Sequence, residues 1–201
     1  MTYNYRFMRF PGGCQKAVTF SYDDGTKFDK PFVEILDKFG IKCTFNIPSA
    51  WIEEPSGSAG HLTPEEIRTL ICEKGHEAAV HCAHHTNPKS FEYIKKFIDF
   101  DSSKYYLSDH SPKLFYLWGH SYEFDHDNNW DRLEKNCEML GANNNIWYAT
   151  NIEIYDYTTA YNSLIYSAVA LSVYNTTLKE LWLEIDNKTY SIKPNETLHL
   201  A

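Results

Sequence analysis

The sequence predicts an α/β fold built on parallel strands and followed by a small β appendage, and three observations carry that reading. Strand-like and helix-like segments alternate over roughly the first 150 residues, as they do in α/β domains. The polar residues of unusual type collect at the C-terminal ends of the candidate strands, where such folds present their chemistry. Beyond about residue 165 the helical pattern gives way to short alternating runs. The expected organisation is one α/β domain over residues 1–163 and a β-rich appendage over residues 164–201.

The elements follow in order. Val18 to Tyr22 reads as a strand that runs into Asp23-Asp24-Gly25. Phe32 to Phe39 carries apolar residues at helical spacing and stops at Gly40, a suitable C-terminal cap. Lys42 to Ile47 is a second strand. Thr63-Pro64-Glu65-Glu66 combines an N-cap, a proline at the first helical position and a glutamate at the third, so a helix is expected from there to Lys74. A third strand runs from His76 to about His81, and Phe91 to Phe100 is helical. Leu114 to Trp118 is a buried strand leading to Gly119-His120, and Asp125-His126-Asp127 reads as a helix-initiating turn. Asn129 to Leu140 is a helix closed by Gly141, and Ile146 to Thr150 a fifth strand. In the appendage Ala168 to Tyr174, Leu181 to Ile185 and Thr189 to Ile192 are strands, with Asp186-Asn187-Lys188 as a hairpin turn.

Composition narrows the function. The chain has 201 residues, 43% of them hydrophobic, enough for a buried core. A net charge of −8, with 19 scattered basic residues, argues against nucleic acid, which needs clustered Lys and Arg to neutralise phosphates. Five cysteines form no C-x-x-C pair, and the first residues lack the apolar core of a signal peptide. No run reaches the ~18 apolar residues of a membrane span, so the expected location is the cytoplasm, away from any membrane.

Two adjacent carboxylates at a strand end repel, and each needs a partner to stay ionised in a closed site. The histidine cluster supplies candidates: His81 and His85 are four apart, share a face on either a strand or a helix, and can reach one point. With Asp24 they make a three-ligand site that leaves room for water and substrate, as catalytic zinc sites do. A looser turn would present His84 in place of His85. Asp23 then stands beside the bound water as general base, and His120 is placed to protonate a leaving group. Cys82 has no basic partner and reads as a bystander. There is no G-x-S-x-G, P-loop or G-x-G-x-x-G, which removes the common hydrolase and nucleotide readings.

These residues resemble a known family. Ser21-Tyr22-Asp23-Asp24-Gly25 is similar to the T-F-D-D-G motif of the polysaccharide deacetylases, carbohydrate esterase family 4 or NodB-homology domains. Gly75-His76-Glu77 through His81-x-x-x-His85 resembles the family's second motif, and Leu114 to His120 its late strand ending in a catalytic histidine. Phe115 to Phe124 with Trp147 to Asn151 resembles a bacterial subgroup. The resemblance implies a distorted (β/α) barrel and metal-dependent removal of acetyl groups from N- or O-acetylated carbohydrate. It implies Asp24, His81 and His85 as ligands of a divalent metal, usually zinc, Asp23 as base and His120 as acid. The family's R-x-P arginine, which tethers the base, and its tryptophan motif have no counterpart: the only arginines are Arg6, Arg9, Arg68 and Arg132. The 34 residues between His85 and His120 are too few for several β/α units of ~30 residues each, so the barrel is expected to be shortened or open. Such an open side is a surface on which a second copy could pack. Two further readings are a catalytically silent relative that binds carbohydrate or a protein partner, and an amidohydrolase acting on other C–N bonds.

Overall fold

A computed structural model describes residues 5–48, 60–81, 91–104, 110–168 and 172–200, and the statements below concern these. The centre is a parallel sheet of β2 (Lys16–Asp23), β3 (Cys43–Ile47), β4 (Glu77–Val80), β5 (Lys113–His120) and β6 (Ile146–Tyr148), with β1 (Arg6–Arg9) lying outside it. The order is β4-β3-β2-β5. Strand β5 pairs along the whole of β2, while the opposite edge of β2 is shared: β6 takes residues 16–18 and β3 takes residues 20–23. With β6 tucked in below β3, β4 and β5 are left as the two edges, and among the described strands no ring closes.

Alternation along β2 separates two faces. Val18, Phe20 and Tyr22 point to one side, with Phe45 and Ile47 of β3, and pack against helices α1 (Asp29–Lys38), α3 (Phe91–Ile98) and α5 (Trp130–Leu140). Phe20, Phe32, Phe45, Leu36 and Leu133 are completely buried there. The remaining side chains of the strands, Thr19, Ser21, Asp23, Thr44 and Asn46, make the opposite face polar, although most of them are also buried.

The Thr63 expectation holds at the start and changes afterwards. Thr63 and Glu66 form a reciprocal capping box for α2 (Pro64–Glu66), but the helix continues over Ile67–Cys72 with π-type winding. Asp125 and His126 end a helix, α4 (Ser121–His126), rather than start one. The fifth strand stops at Tyr148. Thr150 caps the helix that follows, α6 (Asn151–Asn162), in a second capping box with Glu153. Sequence periodicity misses this helix because its apolar residues do not gather on one face. Its N-terminus docks on the polar face of the sheet, where the amide of Asn151 donates to Thr44 Oγ1 at 2.9 Å and that of Ile152 to Glu77 Oε2 at 3.0 Å.

The C-terminal segment forms β7 (Ile165–Tyr166), β8 (Ser172–Tyr174), β9 (Leu181–Ile185), β10 (Lys188–Ile192) and β11 (Thr197–His199). The turn between β9 and β10 has positive φ at both Asp186 (45°) and Asn187 (69°), the conformation a two-residue hairpin favours. Strand β1 pairs with β9, so residues from the beginning and the end of the chain share one sheet. The buried Arg9 locks that pairing by a 2.7 Å ion pair with Glu184 and a bond to the carbonyl of His110. Tyr157 of α6 joins this sheet, donating to the carbonyl of Arg9 and accepting from the amide of Trp182. Among the described residues no helix is long and apolar enough to cross a membrane.

Candidate active site

Strand register builds the site. Asp23, the last residue of β2, is level with Asn46 of β3 on one side and with His120, the last residue of β5, on the other. His81 follows β4 directly and its amide donates to the carbonyl of Ile47. The ends of β3 and β5, which flank β2, and of β4, beyond β3, therefore deliver Asn46, His120 and His81 around the acid pair. The fifth expected strand end does not reach them, because β6 ends level with Val18.

The turn after β2 aims the two acids differently. Asp24 has φ 82°, a conformation that aspartate tolerates better than most residues, and its amide donates to the carbonyl of Asn46 at 3.0 Å. Gly25 follows with φ 62°, and a Cβ there would lie 3.1 Å from Ile47 Cγ2. The reversal turns Asp24 toward both imidazoles: its Oδ1 is 3.6 Å from His81 Nε2 and its Oδ2 is 3.7 Å from His120 Nε2. Asp23 Oδ1 lies 3.9 Å from His81 Nδ1 and accepts a 2.7 Å hydrogen bond from Asn46 Nδ2. The other nitrogen of His120, Nδ1, is 3.2 Å from Glu123 Oε1. The ring of Tyr122 stacks on His120 with centroids 4.9 Å apart.

A third carboxylate lies behind the pair. Asp29, at the start of α1, is wholly buried, and neither of its oxygens has a hydrogen bond of good geometry. Burial pushes its carboxyl up to about 7, helped by the charges of Asp24 and Asp23 and opposed in part by Ser121 and the Thr26 backbone. The Tyr122 phenol is raised by burial first and then by the negative charges of Asp24, Glu123 and Asp23.

Of the expected metal ligands, Asp24 and His81 stand side by side, while His85 and its alternative His84 lie outside the described residues, as does Cys82. Among the described residues no group of three or more donors closes on one point. The two that are described fit a shared ion: atoms 3.6 Å apart can both sit at the ~2.0–2.2 Å of zinc bonds, and the mixed oxygen and nitrogen set is one that zinc accepts. His76, inside the same motif, has a structural place, accepting from the Cys43 amide through Nδ1 and meeting Asp37 through Nε2 at 3.1 Å.

Residue-type reasoning alone missed Asn46, Glu123 and Asn151. Glu123 had a signal, because it stands three residues after His120 at the opening of a helix, within reach of the ring. Asn46 had one too, as a polar residue at the end of an apolar strand. Asn151 becomes visible only once α6 is known to cross the polar face.

The chain belongs to the polysaccharide deacetylase family, whose model matches residues 10–161, from just after β1 almost to the end of α6. A search of curated proteins finds no match to the chain.

Proposed function

We propose that this deacetylase-type hydrolase removes acetyl groups from N- or O-acetylated carbohydrate with the aid of a divalent metal, most simply zinc. The observation that carries the reading is the meeting of Asp23, Asp24, His81 and His120 at adjacent ends of parallel strands, within the segment that the family model matches. Asp24 and His81 would hold the metal, with His85 as the third ligand. When bound, such an ion supplies a polarised acetyl carbonyl and a water made nucleophilic near neutral pH.

The protein's own groups handle the protons. Asp23 accepts one proton from the attacking water as the acyl carbon becomes tetrahedral. His120 donates a proton from Nε2 to the departing nitrogen or oxygen as the bond to the acyl carbon breaks, so the products are acetate and a free amine or hydroxyl. Glu123, bonded to Nδ1, holds the imidazole with Nε2 toward Asp24. We read the sheet as a (β/α) barrel left open between its edge strands β4 and β5, since among the described strands no ring closes. Substituting His81→Ala tests the assignment, since metal content and acetate release should be lost together; retention of both would remove His81 from the site.

A further inference from the structure

Below Asp23 the polar face of the sheet carries a continuous run of side-chain hydrogen bonds. Asn46 Nδ2 donates to Asp23 Oδ1 at 2.7 Å and to Ser21 Oγ at 2.9 Å. Ser21 Oγ also receives Asn151 Nδ2 at 3.3 Å, and Asn151 Oδ1 accepts from Thr19 Oγ1 at 3.1 Å. Asn46 Nδ2 therefore spans from Ser21 up to the acid, and Asn151 Nδ2 meets the same Ser21 oxygen from below. The lower end is anchored, because the Asn151 main chain bonds to Thr44 Oγ1 and Thr44 in turn donates to Glu77 Oε2 at 2.8 Å. Ser21 is 4% exposed and Asp23 7% exposed, so water competes little for these bonds.

Arg9 pairs with Glu184, Arg68 with Glu65 and Glu73, Arg6 lies over the Tyr166 ring, and Arg132 lines a cleft beside Glu123 on the helical side of the sheet. A carboxylate that must accept a proton in one direction needs a donor to fix its rotamer, and here an amide provides it.

We propose that Asn46 is the positioning residue for Asp23, and that Ser21 and Asn151 hold Asn46 in turn, forming an amide ladder beneath the acid. The inference rests on Asp23 being the base. A neutral amide can donate to the Asp23 oxygen but cannot attract it as a guanidinium would, so its hold is directional. Removing the top rung removes that donor, and removing a lower rung loosens Asn46.

Crystal structures and steady-state kinetics of Asn46→Leu, which keeps the volume and loses the donor, test the ladder. The Asp23 carboxylate should leave its rotamer while Asp24 and His81 stay in place. The kcat should drop on the order of 100-fold, the cost of slight misplacement of a reacting group, with KM within about twofold and metal content unchanged. If Asn46→Leu does not fold, Asn151→Ala leaves the top rung intact and should show a smaller loss of kcat with the same constant KM. An Asp23 rotamer unchanged in the folded variant overturns the proposal. If Asp23 turns as expected but the wild type releases no acetate, the positioning stands and the assigned reaction fails, so the two claims are separable.

Discussion

His120 and Glu123 are bound to each other, Nδ1 to Oε1 at 3.2 Å, across the first turn of the helix that follows β5. That bond fixes which imidazole nitrogen faces Asp24. Glu123→Ala should therefore let the ring turn and lower kcat by about 10- to 100-fold, the usual cost of losing a supporting partner of an active-site histidine. Metal content should not change. A steady-state comparison with wild type, alongside elemental analysis, checks both.

Asp29 gives a pH signature. In the unfolded chain its carboxyl ionises near the ordinary aspartate value of 3.8, whereas in the folded protein it holds its proton to about 7. Between those values the folded state binds more protons, so this residue makes stability fall as pH rises, a loss on the order of 4 kcal/mol once pH exceeds 7. Urea midpoints of metal-free protein measured between pH 4.5 and 8, taken as differences from Asp29→Asn, should show the fall in wild type and its absence in the variant.

Gly25 has little room for a side chain. Its φ of 62° and the 3.1 Å separation of a built Cβ from Ile47 act together, so Gly25→Ala should destabilise by about 1–3 kcal/mol and displace Asp24. Thermal melts report the first effect and metal content the second.

Thr150 tests the seating of α6. Thr150→Ala removes the side-chain acceptor for the Glu153 amide and should cost about 1 kcal/mol. Because Asn151 follows it directly, denaturant unfolding should be paired with kcat, which should decline modestly as Asn151 shifts.

The sheet and the acid pair were legible in the sequence because their signals are local. An apolar run ending in Asp23-Asp24-Gly25, a glycine after each early helix and the Thr63 capping box each depend on residues near one another. The site's supports were not legible, since they depend on register. Asn46 meets Asp23 only because Asp23 pairs with Asn46, and Asn151 reaches Ser21 only because β6 stops level with Val18 and α6 crosses the face above it. The Thr150-x-x-Glu153 box was present to be read, but the apolar run through Tyr148 and Ala149 disguised it as the end of a strand. Pairing of β1 with β9 spans nearly the whole chain, a contact that no local pattern encodes.

In the proposed reaction Asp23 takes the proton of the attacking water while Asp24 serves the metal. Acetate release from acetylated oligosaccharides by wild type and by Asp23→Asn, matched for metal content, tests it directly. Wild type should turn over, and the variant, with its metal retained, should fall by about 100- to 10,000-fold, the range a general base contributes. A variant as fast as wild type at equal metal content would contradict it.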